Sequence, residues 1–266
     1  MPAVEIPATK LTPPLKWAGG KRWQVPILQG IWARHAHRRL VEPFCGGMAV
    51  ALGLQPSAAL LNDANVHLIN FYRWVKRGLT VDLPLCNDRA AYLEARAQFN
   101  ALVSAGEGRS HRAAVLFYYL NRTGYNGLCR FNRTGAFNVP FGRYDRIAYA
   151  TDFLKYRRVL RNWRLSSVDL ARVAYRPDDF IYADPPYDVE FTQYSRGGFS
   201  WDDQVRTAGL LASHPGPVVL VNQATERILR LYRSLGFEID VVDAPRRISC
   251  DGNRTPAREA IATRHL

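Results

Sequence analysis

Acid is scarce in this chain. It carries 36 Lys and Arg against 23 Asp and Glu, with a formal net charge of +13 and a pI near 9.9. Sulfur is scarce too, with 2 methionines and 4 cysteines. Cys45, Cys86, Cys129 and Cys250 are scattered, without a Cys-x-x-Cys, and no histidine completes a zinc pattern. No metal is therefore expected, and the thiols read as reduced, in a cytoplasmic protein. The 6 histidines fall at neither metal-ligand nor triad-like spacing. No apolar run approaches the roughly 18 residues that span a membrane. The start, Met1-Pro2-Ala3-Val4-Glu5, lacks the basic and then apolar signature of a signal peptide. Internal repeats and low-complexity tracts are absent.

The remaining composition is that of a folded protein: 266 residues, 47% hydrophobic and 12% aromatic, enough for one large core with a smaller unit attached. The positive field attracts polyanions, nucleic acid first and acidic membrane second. A generally arginine-rich composition is the competing explanation.

Residues 1–14, rich in Pro and Thr, read as an N-terminal arm. The spacing predicts helices over 25–36, 48–54 and 66–77 and strands over 39–44 and 58–61. Helices are expected over 92–102 and 112–119, and 131–139 resembles a β-hairpin turning at Arg133-Thr134-Gly135. Strand and helix then alternate again: 180–183, 201–212, 218–222, 226–235, 238–242 and 260–263. This order implies an α/β fold, a mostly parallel Rossmann-like sheet with helices on both faces. Residues 15–74 and 165–266 form that unit, and 75–164 are a mainly helical insertion.

Three segments carry chemistry. Asp184-Pro185-Pro186-Tyr187 follows the apolar run Phe180-Ile181-Tyr182-Ala183. At the carboxyl end of a strand it offers a carboxylate and a proline carbonyl to an exocyclic amino group, and a ring to stack on a base. Asp-Pro is also a common turn opener. Glu42-Pro43-Phe44-Cys45-Gly46-Gly47 ends a strand, turns and opens a helix, as at a nucleotide-like cofactor. It is not a Gly-x-Gly-x-x-Gly, so a dinucleotide is not favoured. Asp63 ends the next strand, where an acid accepts ribose hydroxyls. Residues 121–146 hold Arg122, Arg130, Arg133, Arg143 and Arg146 against Asp145, interleaved with Tyr125, Phe131, Phe137, Phe141 and Tyr144. Arginine forks read guanine, asparagine reads adenine or phosphate, and aromatics wedge between bases. A solvated loop, with Phe137 and Phe141 packing the insert, is the other reading.

Five motifs occur in order. They are Lys16-Trp17-Ala18-Gly19-Gly20-Lys21; Val41-Glu42-Pro43-Phe44-x-Gly46; Asn121-Arg122-x-Gly124-Tyr125-Asn126-Gly127-Leu128-Cys129-Arg130; Phe137-Asn138-Val139-Pro140-Phe141-Gly142-Arg143-Tyr144; and Asp184-Pro185-Pro186-Tyr187. Together they closely resemble the Dam-like DNA adenine-N6 methyltransferases, in the motif order of the α group, over residues 15–264. The resemblance implies that Trp17, Lys21, Glu42, Phe44, Gly46, Asp63 and Asp184 line an S-adenosylmethionine pocket. It makes Asp184, Pro185, Pro186 and Tyr187 catalytic, and it implies that Tyr125 enters the duplex beside a flipped adenine. Lys16, Arg122, Asn126, Leu128, Arg130, Asn132, Pro140, Arg143 and Tyr144 would contact DNA, with GATC as the expected site. The implied partner is double-stranded DNA, met by a monomer in the cytoplasm, at the nucleoid. Three departures stand out. Leu165-Ser166-Ser167-Val168-Asp169 lacks an aromatic near the cofactor adenine, the turn Cys45-Gly46-Gly47-Met48 is not the usual small-residue version, and the 248–254 loop matches only in type. Cytosine-N4 methylation, an RNA substrate and a silent DNA-binding regulator are the alternatives.

Overall fold

The computed structural model describes residues 11–188, 198–244 and 257–266. The 248–254 loop and the first ten residues of the arm lie outside them. In chain order the elements are α1 (Val25–Trp32), β1 (Leu40–Glu42), α2 (Ala49–Leu54), β2 (Ala59–Asn62), α3 (Val66–Arg77), α4 (Arg89–Ser104), α5 (His111–Thr123), α6 (Leu154–Leu160), β3 (Trp163–Ser166), β4 (Phe180–Ala183), α7 (Trp201–Ala212), β5 (Val218–Gln223), α8 (Glu226–Ser234), β6 (Glu238–Ala244) and β7 (Ala257–Arg264).

The strands form one seven-stranded sheet in the order β3-β2-β1-β4-β5-β7-β6. β3 to β5 are parallel neighbours, while β7 runs antiparallel between β5 and β6. β1, β2 and β4 are buried along their whole length, and β5 along all but Gln223. Parallel strands covered on both faces read as such unbroken apolar runs. The fold is the expected α/β, Rossmann-like sheet.

Helix termini follow local chemistry. Asn65 caps α3 by accepting from the amides of His67 and Leu68, and Gly78, at φ +101°, closes it. Ser200 and Asp203 form a capping box on α7. α1 stops at Trp32 rather than reaching 36. β3 and α6 were not expected. Trp163-Arg164-Leu165-Ser166 is short, and α6 is seven residues with arginines at its solvent face, so neither presents a clear apolar period. β3 begins inside the segment read as insertion. The expected hairpin is reduced to one bridge, Phe131 to Phe137, closed by Asn132 N to Ala136 O (2.9 Å) and Asn138 N to Arg130 O (3.1 Å).

One apolar cluster runs from Leu40 and Leu61 in the sheet through Phe71 and Tyr72 of α3 to Phe99, Phe117 and Phe137. The segment 75–164 therefore shares its core with one face of the sheet. Leu11 and Leu15 join the same cluster, and the Tyr156 hydroxyl donates to Thr12 O at 2.7 Å. A second cluster, with Val41, Ile181, Leu211, Leu220 and Ile228, fills the other face.

Asn62, at the end of β2, ties the turn after β1 to the end of β3 and the loop that follows it. Its amide donates to Pro43 O (3.0 Å) and Val168 O (3.1 Å), and its carbonyl accepts from Ser166 Oγ (2.8 Å) and Val168 N (3.0 Å). Because the side chain is buried, removing it strands several polar groups. Asn62→Ala is expected to cost about 2 kcal/mol or more of stability, read as the shift in denaturant midpoint at unchanged m-value. A loss below half of that would show that water replaces the side chain.

Candidate active site

β1 and β4 lie side by side, with Val41 opposite Ile181. From β1 the chain moves to one side of the sheet, and from β4 to the other. Their carboxyl ends thus flank a topological switch point, where open α/β sheets bind ligands. Glu42 ends β1 and Asp184 follows β4, so two carboxylates meet at that crevice.

Lys21 reaches in from the N-terminal segment. Its Nζ lies 3.0 Å from Asp184 Oδ2, donates to Gly19 O at 2.9 Å and stands 4.6 Å above the Tyr187 ring. Lys21 is 5% exposed and Asp184 17%. Burial raises the Asp184 carboxyl to about 6, opposed by Lys21 and aided by Glu259. Burial likewise raises Glu42 to about 8, against the Ala51 amide and with the Asp184 charge. Asp184 Oδ1 and Glu42 Oε1 are buried without hydrogen-bond partners.

The turn after β1 forms the floor. Gly46 has φ +45°, and a Cβ there would lie 2.7 Å from the Trp17 indole nitrogen. Only glycine permits this approach. Gly47 is equally close to Trp17. Gly46 N donates to Asp63 Oδ2 (3.0 Å) and Asn65 N to Asp63 Oδ1 (2.8 Å), two amides that oppose the burial raising the Asp63 pKa. Phe44 meets Phe199 edge to face at 5.9 Å. Trp17, Lys21, Glu42, Phe44, Gly46, Asp63 and Asp184 are thus held at or beside one crevice. Its glycine floor, indole wall and two orphaned carboxylate oxygens fit a ligand that carries cationic and hydrogen-bond-donating groups.

Four polar residues behind the Asp184-Pro185-Pro186-Tyr187 motif escaped the sequence reading. Gln204 of α7 donates to Pro186 O at 2.7 Å and accepts from Asn222 Nδ2 at 2.9 Å. Asn222 Oδ1 accepts from Asp188 N at 3.2 Å. On the other side the Tyr182 hydroxyl donates to Gln24 Oε1 (2.7 Å), and Gln24 Nε2 donates to Glu259 Oε2 (2.9 Å). Glu259 lies near the start of antiparallel β7, opposite Gln223, which brings it to the catalytic edge. The one signal was polarity at strand ends: Asn222 closes the run Val218-Val219-Leu220-Val221, and Glu259 opens Ala260-Ile261-Ala262.

The insert meets this crevice through Lys16. Asn121 clamps its backbone, accepting from Lys16 N (2.8 Å) and donating to Lys16 O (2.7 Å). Lys16 Nζ donates to Arg122 O (3.0 Å) and stands 3.4 Å over the Tyr144 ring. Burial, then the Arg122 charge, lowers its pKa to about 8. Gly127 has φ +62°, and a Cβ there would come within 2.2 Å of Lys16 Cβ. Tyr125 is 45% exposed, with its amide on Pro140 O (2.9 Å). Asn126, at φ +51°, sits in the turn that follows. The Tyr144 hydroxyl donates to Gly124 O (3.0 Å), and Arg143 is exposed at φ +49°.

Lys16, Tyr125, Asn126, Pro140 and Tyr144 therefore share one neighbourhood. Leu128 is half-buried against the core, and Arg122 donates to Ala148 O (2.7 Å). Arg130 and Asn132 belong to the hairpin-like turn. Arg130 Nε donates to Asn138 Oδ1 (2.8 Å), while Asn132 Oδ1 accepts from Thr134 N, Thr134 Oγ1 and Ala136 N. Phe137 is 2% exposed, a core residue as the packing reading required.

Residues 17–248 match the model of the D12 class N6 adenine-specific DNA methyltransferases. The chain belongs to that family. It is 36% identical to a DNA adenine methylase of Vibrio cholerae, over 95% of this chain and 96% of the relative. It is 34% identical to the retron Ec67 DNA adenine methylase of Escherichia coli (93% and 90% covered) and 35% identical to the DNA adenine methylase of Escherichia coli K12 (90% and 89%). The chain is an adenine-specific DNA methyltransferase, which decides adenine N6 over cytosine N4 and DNA over RNA, and it uses a methyl donor. Among the described residues no group of three or more His, Cys, Asp or Glu is placed to hold a metal, and no helix is long and apolar enough to cross a membrane.

The acid limb of kcat/KM reports a free-enzyme carboxyl. After burial, Lys21 and Glu259 are the groups that shift Asp184, while the Asp184 charge in turn raises Glu42 and the facing Tyr182, Tyr187 and Tyr232. Activity that needs ionised Asp184 rises with pH through about 6. Glu259→Gln removes a negative charge, lowers the Asp184 pKa and is expected to move that limb to lower pH. A limb that stays in place in a folded variant would mean that Asp184 does not set it.

Proposed function

We propose that the chain methylates adenine N6 within GATC in double-stranded DNA, with S-adenosylmethionine as donor and the target base flipped out of the duplex. The observation that carries the chemistry is the buried Lys21–Asp184 pair at the switch point, with Asp184 Oδ1 left unpartnered. Trp17, Lys21, Glu42, Phe44, Gly46 and Asp63 would hold the donor. When bound, S-adenosylmethionine supplies an electrophilic sulfonium methyl.

The residues of the chain prepare the base. Adenine N6 is a poor nucleophile because its lone pair is delocalised into the ring. Asp184 Oδ1 accepts one N6–H, and the Pro185 carbonyl accepts the other. Gln204 already engages the neighbouring Pro186 carbonyl. Two fixed acceptors draw the nitrogen toward tetrahedral geometry and stabilise its developing positive charge. Tyr187 stacks on the base, and Lys21 keeps Asp184 in place.

Flipping a base costs roughly a few kcal/mol. Tyr125, exposed at the head of its turn, fills the gap. Residues 75–164 act as the recognition insert on the catalytic unit formed by 15–74 and 165–266. Lys16, Asn126, Leu128, Arg130 and Pro140 read bases, with Asn138 orienting the Arg130 fork. Arg122, Asn132, Arg143 and Tyr144 hold the backbone. The GATC reading rests on the match across Tyr125–Arg130 and Pro140–Tyr144, and the protein works as a monomer in the cytoplasm.

The deciding experiment is methyl transfer to unmethylated duplex DNA with base-resolution mapping. N6-methyladenine confined to GATC is the expected result. Methylation at another sequence would keep the Asp184 chemistry and overturn the recognition assignment. Arg130→Ala should lose about 1–3 kcal/mol of discrimination at one base pair, and an unchanged site preference would remove Arg130 from base reading.

A further inference from the structure

The base-reading turns of the insert, Tyr125–Arg130 and Pro140–Tyr144, do not account for all of the positive charge. Residues 153–168 contain no acid, yet hold Lys155, Arg157, Arg158, Arg161 and Arg164, all exposed. None of the five makes an ion pair among the described residues. The Lys155 ammonium lies only over the Tyr156 ring.

The fold extends this row. α3, also without acid, packs on both α6 and β3. Arg157 lies beside Gly78 at the end of α3, and Lys76 Nζ donates to Trp163 O at 2.6 Å, next to Arg164. Burial, and then repulsion from nearby Arg109 and Arg77, lowers the Arg73 pKa. Arg77 and Arg109 are exposed.

The place of this face matters. Trp163 pairs with Ala59, the first residue of β2, so the row ends at the amino edge of the parallel strands. The catalytic crevice is at their carboxyl edge. The row and the crevice thus lie at opposite edges of the sheet, so DNA that meets both must extend beyond the target site or bend, and bending costs several kcal/mol over a site-sized length.

We infer that the α6–β3 face is a second, sequence-independent DNA-binding surface, which holds a phosphate backbone distant from the base being methylated. Four of the five groups are arginines, whose planar forks suit phosphate oxygens. Leu154 is the one large exposed apolar side chain of α6, too little for membrane insertion. The choice of DNA as partner rests on the reading above, since the same molecule presents both target and distant backbone.

The test compares wild type with Arg158→Gln/Arg161→Gln/Arg164→Gln on two substrates, a duplex of about 15 base pairs and one of several hundred, each with one target site. Each phosphate contact contributes about 0.9 to the slope of log K against log salt. The variant is expected to lose about 2–3 of that slope on long DNA, with short-duplex affinity and methylation unchanged. The matching triple lysine variant should keep most of the slope, which guards against misfolding. Equal slopes on long DNA would overturn the inference, as would equal losses on both lengths, the mark of a general field. Aggregation without a change in DNA binding would assign the charges to shielding the edge strand β3. Binding of the wild type to anionic vesicles, lost in the variant while long-DNA binding stays intact, would assign the face to lipid. A wild type that methylates neither duplex would instead overturn the functional reading.

Discussion

The ion pair between Lys21 and Asp184 is the constraint on which the site depends. It buries a cation beside a carboxylate at the one point of the sheet where the strand order reverses. Taking either partner away leaves an uncompensated charge in a poorly solvated crevice, typically a cost of about 3–5 kcal/mol. The pair joins the segment before α1 to the loop after β4, and the Lys21 ammonium also approaches the Tyr187 ring. One interaction therefore sets the orientation of the acid and of the aromatic face next to it.

The surroundings leave one oxygen of that acid unpartnered. Asp184 is paired through Oδ2 only, so Oδ1 stays available, and burial holds the carboxyl poised near 6 rather than far below it. Gln204, Asn222, Gln24 and Glu259 hold the motif from behind through buried hydrogen bonds. Such a network works only when its members are satisfied, because an unpaired polar group in a low dielectric is costly. Asp184 Oδ1, Glu42 Oε1 and the Tyr187 hydroxyl are the buried atoms of this site left without a partner among the described residues.

Catalytic unit and insert are one packed body. Phe71 and Tyr72 of α3 share a core with Phe99, Phe117 and Phe137. Lys16 is fixed by Asn121 of α5, while its neighbour Trp17 rests on the glycine turn after β1. Two adjacent residues thus link the Tyr125–Gly127 turn to the glycine turn after β1. Under the proposed function, that link would help to present a base to a methyl group within the small tolerance that in-line attack allows.

Much of the site was legible because it is written in short contiguous motifs at strand ends. Asp184, Glu42, Asp63 and Gly46 were singled out from strand, turn and helix order and Lys21 from the family resemblance, and the fold brings them together. The hairpin-like turn was legible from Asn132 to Gly135, but its strands never formed, because Asn132 spends its carbonyl on the turn and Phe131 and Phe137 turn inward to the core. β3 and α6 were illegible because four and seven residues carry too little period to stand out. By itself the sequence determined the chemistry of each motif, the alternation that yields a mostly parallel sheet and the excess of positive charge. Only the tertiary structure decided which polar residues from distant strands back the motif, which carboxylate oxygen stays unpaired and where the surplus arginines gather. Those are consequences of burial and long-range pairing, and no local period records them.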